Sequence, residues 1–226
     1  LPSLERSKAS RPFCRCWFAC ASCSGSLEDL TDFMKITSDH WLEGVLKQPI
    51  PGGSAMPVRR FLVIHFTSGA SAQSSINFWK TPAAKGASAH IVIDRDGTVY
   101  QCRPFNVTAG HAGVSQWRGF KSLNACSIGI ELANAGDNVA LAARWSKFEP
   151  VTAKHKNGGK PQKWEVYSPE QLAACEEVAK ALVARYKLDD VIGHEDIAPD
   201  RKNDPGPAFP MAALRVACGF KPEVKP

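Results

Sequence analysis

No stretch of the chain approaches the roughly 20 consecutive apolar residues that a membrane-spanning helix needs, so no helical span is expected. There is no G-x-G-x-x-G or phosphate-binding loop, no internal repeat and no low-complexity tract. H-E-x-x-H is also missing, because His194-Glu195 has no second histidine at position 198. These absences exclude the common dinucleotide, P-loop and zincin-type designs. The chain has eight cysteines, but no spacing in its main part implies pairing. Cys102, Cys126, Cys175 and Cys218 therefore read as reduced, mostly buried thiols. Cys14, Cys16, Cys20 and Cys23 crowd together without the second pair of ligands that a structural zinc site uses. The Phe13–Cys23 stretch is interrupted by Arg15 and those cysteines, so it makes a poor secretory leader. The expectation is synthesis in the cytoplasm without a recognisable signal peptide, although the chain begins at Leu1 rather than Met. Residues 1–33 read as a disordered or non-native extension, with Met34-Lys35-Ile36 resembling a natural start. Against that, Ser26 with Asp29 could cap a helix through Leu27, Leu30 and Met34.

What is present supports one folded domain over residues 34–226. Hydrophobic residues make up 44% and charged residues 22%, enough for a full core. Net charge is +6, and residues 1–33 sum to zero, so the excess lies in the main domain. Such a surface suits an anionic partner: nucleic acid, membrane or an acidic wall polymer. With no nucleic-acid motif, nucleic acid is the least expected of these. Residues 138–167 read as one long connection with a net charge of +4 and with Trp145, Phe148 and Trp164 interleaved. Aromatics with lysines suit a carbohydrate or nucleic-acid groove, and equally a solvated loop with anchoring aromatics.

Phe61-Leu62-Val63-Ile64 is a short apolar run of the kind found in strands buried on both faces. A helix is predicted over Ser71 to Lys80, with Ile76 and Trp79 inward. Ala89–Asp94 and Thr98–Arg103 read as a hairpin joined across Arg95-Asp96-Gly97. Ser127 to Leu132 alternates, so Ile128, Ile130 and Leu132 face one way and Glu131 the other. Ser168-Pro169-Glu170-Gln171 starts a helix, with the glutamine expected to close a capping box. Leu172, Cys175, Ala179, Leu182 and Tyr186 mark its buried face. A short strand over Asp190–Ile192 and a last helix from Pro210 to Cys218 complete the pattern. The expected class is mixed α/β, a central mixed sheet flanked by helices.

Candidate chemistry gathers in GHEDIAPDRKNDPGPAF at 193–209. Pro199, Pro205 and Pro207 prevent a continuous helix or an inner strand there. A stiff loop can bring His194 and Asp204 to one point, and both residue types are good zinc ligands. Lys202, extended two residues before Asp204, would add a fixed positive charge on the same side. His65 ends the first buried strand, placed either as a further ligand or as a satisfied core histidine. Glu131 is a carboxylate on a strand with Gly129 beside it leaving room for a pocket. His90 and His111 are either donors around a site or ordinary polar residues.

VIHFTSG at 63–69, SAHIVIDRDGTVYQ at 88–101, GHAG at 110–113, IGIELAN at 128–134 and the 193–209 segment together resemble the type-2 N-acetylmuramoyl-L-alanine amidases. That superfamily includes AmpD-like enzymes, phage endolysins and peptidoglycan recognition proteins. The resemblance spans roughly residues 35 to 220. It implies a zinc ion held by His65, His194 and Asp204, with Glu131 as catalytic carboxylate and Lys202 as charge stabiliser. It also implies His111 in the substrate cleft, with His90, Asn134 and Trp164 as further candidates for substrate contact. The family usually has a tryptophan before that histidine, and here Gly110 replaces it. A monomer acting on peptidoglycan or muropeptides is expected. The reading is a lytic or wall-remodelling enzyme; the alternatives are recycling of soluble anhydro-muropeptides and non-catalytic peptidoglycan binding.

Overall fold

The computed structural model describes residues 34–224. The expectations for Cys14, Cys16, Cys20, Cys23 and a helix capped by Ser26 lie outside the described residues. In chain order the elements are β1 (Leu46–Lys47), β2 (Phe61–Phe66), α1 (Ala72–Trp79), β3 (Ile91–Ile93), β4 (Val99–Gln101), β5 (Gln116–Trp117), β6 (Phe120–Lys121) and β7 (Ser127–Leu132). There follow α2 (Val139–Trp145), β8 (Val151–His155), β9 (Gly158–Trp164), α3 (Pro169–Tyr186), β10 (Asp190–Gly193), α4 (His194–Ile197) and α5 (Met211–Ala217).

Six strands form the central sheet in the order β1-β4-β3-β7-β2-β10. Only the β3–β4 pair within it is antiparallel, so the sheet is mixed as expected. All six residues of β2 are buried, because β7 and β10 flank it and both faces are covered. The period of two sorts its side chains. Leu62 and Ile64 join Ile128, Ile130 and Val191 in one cluster with Cys175, Val178 and Leu182 of α3. Phe61, Val63 and Ile192 turn the other way, toward Trp117, Leu123 and Ile197. That second face ends in polar residues. His65 continues the Phe61–Val63 row, Glu131 faces opposite to Ile130, and His194 follows Ile192 by two. The register pairs His65 with Glu131 and Gly193 with Ile64. Three polar side chains therefore leave the same face at the carboxyl ends of three adjacent parallel strands, where open α/β sheets bind ligands.

Several expectations need adjustment. Ser168 caps α3, its hydroxyl accepting the Gln171 N–H. Gln171 does not close a capping box; its amide instead donates to the carbonyls of Ile93 and Ala133, tying α3 to the sheet. Residues 138–167 are not one long loop. They hold α2 and the β8–β9 hairpin, which turns tightly at Lys156-Asn157 before Gly158. The first residues after Gly193 make one helical turn, α4, before Pro199 ends it. Cys102, Cys126, Cys175 and Cys218 are free thiols, the first and third of them buried.

Candidate metal centre and active site

β2 delivers His65 and the end of β10 delivers His194, both nearly inaccessible. Asp204 returns to them from the loop after α4, where the Glu195 N–H donates to the Asp204 carbonyl at 2.8 Å. His65 Nδ1 lies 2.9 Å from both His194 Nδ1 and Asp204 Oδ2, and His194 Nδ1 lies 3.0 Å from the same oxygen. One donor atom from each residue thus fits within 4.8 Å, a group able to hold a metal ion.

The protonation states suit ligands. Burial drives the His65 imidazole down to about 4, against the pull of Asp204, so it keeps a lone pair near neutral pH. Burial alone would raise Asp204, but the His194 and His65 rings packed against it outweigh that and hold the carboxyl well below its ordinary range. The outer ring nitrogens are also engaged. With Nδ1 turned inward, His65 Nε2–H donates to His111 Nδ1 at 3.0 Å, and His111 Nε2–H reaches the Ser127 carbonyl at 3.3 Å. His194 Nε2–H donates to the Ala112 carbonyl at 3.2 Å. Such outer contacts fix tautomer and ring orientation.

Glu131 stands beside this group, one strand over from His65. One of its carboxylate oxygens is buried without a hydrogen-bond partner. Burial, helped by the charge of Asp204, pushes it up to about 8, and Lys202 opposes that rise. Lys202 and Asp204 line a cleft of about 420 Å³ together with His65, Glu131, His194 and Trp79. The cleft thus joins a metal-ligand set, an unpaired carboxylate and a cation at its wall.

His111 reaches that wall, but both its ring nitrogens are already committed. The room beside Glu131 expected from Gly129 is filled by this ring, since a Cβ at Gly129 would lie 2.5 Å from it. The other three candidates for substrate contact do not line this cleft. His90 is fully buried, accepting the Gly129 N–H and donating to the Val107 carbonyl. The Asn134 amide is turned onto the carbonyls of Glu165 and Val166 and onto the Gly136 N–H. Trp164 is buried in the hairpin, stacked on His155, with its indole N–H on the Ala153 carbonyl. Sequence reasoning missed Arg201, whose guanidinium holds the Ala112 and Val114 carbonyls in place beside His194. Main-chain acceptors leave no mark in a sequence.

Comparison with known proteins bears on this arrangement. The pattern of the family described as N-acetylmuramoyl-L-alanine amidase matches residues 54–207. The chain belongs to that family. It is 35% identical over 170 residues to the N-acetylmuramoyl-L-alanine amidase AmiD of Escherichia coli strain K12, covering 71% of this chain and 54% of AmiD. It is 40% identical over 131 residues to the 1,6-anhydro-N-acetylmuramyl-L-alanine amidase AmpD of the same organism, covering 57% of each. The chain spans about half the length of the curated relatives it matches. A solved complex of E. coli AmiD with the substrate anhydro-N-acetylmuramic acid-L-Ala-D-gamma-Glu-L-Lys shares the fold, with a TM-score of 0.57 and 31% identity over 76% of this chain and 62% of that one. The mixed α/β amidase fold expected from the motifs is the fold observed. Among the described residues no helix is long and apolar enough to cross a membrane.

Proposed function

We propose that this chain is a zinc-dependent N-acetylmuramoyl-L-alanine amidase, cutting the amide between the lactyl group of N-acetylmuramic acid and L-alanine in peptidoglycan. The convergence of His65, His194 and Asp204 beside the unpaired Glu131 carboxylate carries the reading. Two imidazoles and a carboxylate suit zinc, and three protein ligands are the catalytic pattern. Bound there, zinc supplies a more acidic water and a polarised carbonyl.

The chain's own residues supply the rest. Amides resist hydrolysis because water is a weak nucleophile and the amine a poor leaving group. Glu131 takes a proton from the attacking water and returns it to the alanine nitrogen as the C–N bond breaks. Lys202 sets its charge against the developing oxyanion, a contribution of about 2.7–4 kcal/mol for a typical donor. Lys202→Met is therefore expected to slow turnover about 10²–10³-fold with zinc retained.

Polymeric wall as substrate fits a lytic or remodelling enzyme acting outside the cytoplasm. Soluble anhydro-muropeptides are the second reading, supported by the likeness to AmpD and to the AmiD complex. Mass spectrometry of products from intact sacculi and from purified anhydro-muropeptides tests both. The expected products are stem peptides with a free L-alanine amine and peptide-free sugar, lost with chelator and restored by zinc. Cleavage within the glycan or between peptide residues, or activity indifferent to chelation, would contradict the proposal.

A further inference from the structure

The β8–β9 hairpin leans on the segment that carries two of the three candidate ligands. Glu195, next in sequence to His194, is buried, and its carboxylate faces the hairpin tip. His155 Nδ1 accepts the Asn157 N–H at 3.1 Å, so its Nε2–H donates to Glu195 Oε2 at 2.6 Å. Lys156 Nζ reaches Glu195 Oε1 at 2.8 Å and Asp196 Oδ1 at 2.6 Å. The Asn157 amide donates to the Glu195 carbonyl at 2.9 Å.

The far end of the segment is held as well. The Gly206 N–H donates to Glu195 Oε2 at 3.1 Å. Trp164, at the base of β9, lies so close to Gly206 that a Cβ there would be 2.7 Å from the indole. The hairpin therefore grips residue 195 with its tip and residue 206 with its base. His194 adjoins this grip and Lys202 and Asp204 lie inside it. A loop with three prolines is stiff, but stiffness alone does not set where its two ligands point.

We propose that the hairpin is a brace for the metal centre, and that His155 and Asn157 are positioning residues acting through Glu195. The proposal rests on the metal reading above. Partners that hydrogen-bond the ligands themselves are typically worth 10–100-fold in metal affinity, and a brace acting through Glu195, one residue further out, should lie at the lower end of that range. The test measures zinc affinity by competition with a chromophoric chelator, and the visible spectrum of the cobalt(II) form, on the full chain. His155→Ala with Asn157→Ala is expected to weaken zinc binding about tenfold and to alter the cobalt spectrum. His155→Gln, which keeps a donor toward Glu195, should recover most of the affinity. Lys154→Ala with Lys163→Ala, exposed on the same hairpin, should bind zinc as the parent does. Parent-like affinity and spectrum in the double alanine variant would overturn the brace, as would an equal loss in the lysine control. Should the double variant fail to fold, Asn157→Ala alone decides by the same two readouts. A parent chain that takes up no zinc would instead overturn the metal reading, and the brace with it.

Discussion

The two halves of the candidate site are held in different ways. His65 and Glu131 sit on neighbouring parallel strands whose apolar side chains are buried on both faces, so sheet register and core packing fix them. His194, Lys202 and Asp204 sit on a proline-broken segment fixed by polar contacts: the Glu195 N–H on the Asp204 carbonyl, the hairpin on Glu195, and Arg201 on the loop beside His194. The strand half draws its rigidity from area removed from water, which is non-directional and spread over many residues. The loop half draws on a few directional bonds, each sensitive to a single substitution.

The two halves meet at the metal ligands, where substitution should have the largest effect. His65→Ala and Asp204→Ala take one ligand from each half, and each should abolish zinc retention and amidase activity. Metal analysis after dialysis checks this; retention of a full equivalent by either variant would remove that residue from the site. Glu131→Gln should cost about 10²–10⁴-fold in turnover while zinc stays bound, because it removes the proton carrier and no ligand.

Ile64→Ala, in the strand half, opens a cavity at a fully buried position and should cost about 2–5 kcal/mol by urea denaturation. The mildest effect is in pH. Burial, with the nearby charge of Arg103, depresses His90 to about 4 in the folded state. The stability this neutral ring provides is fully present above its unfolded value of about 6.5 and is lost as pH falls toward 4. Buried His65 and His111 are depressed in the same direction, so His90→Gln should lessen, not abolish, the slope of metal-free stability between about pH 6.5 and 4; an unchanged slope would remove His90 as a contributor.

The strand half was the more legible in sequence. Phe61 to Ile64 and the alternation from Ser127 to Leu132 marked the buried strands, and with them the side to which Glu131 points and the strand end that carries His65. Two residues on different strands cannot be brought into register by periodicity alone, so their meeting came from the resemblance. The loop half was legible as a motif and in its prolines, but not in what holds it. Lys154 to Lys163 is polar and glycine-rich and lacks β-branched residues, so it did not read as a hairpin; Asn157-Gly158-Gly159 was its one turn signal. His90, Asn134 and Trp164 were expected at substrate, yet each spends its polar atoms on main chain. Burial of a histidine, an amide or an indole depends on the neighbours that close over it, and those are distant in sequence.

Everything in the proposed chemistry depends on two imidazole nitrogens and one carboxylate oxygen, from a strand and a loop, sharing one zinc ion. An anomalous-difference map at the zinc edge, from crystals of the zinc-loaded protein, tests it most directly. A single strong peak is expected about 2.0–2.2 Å from His65 Nδ1, His194 Nδ1 and an Asp204 oxygen. A peak elsewhere, or none at this position in a protein that carries zinc, would contradict it.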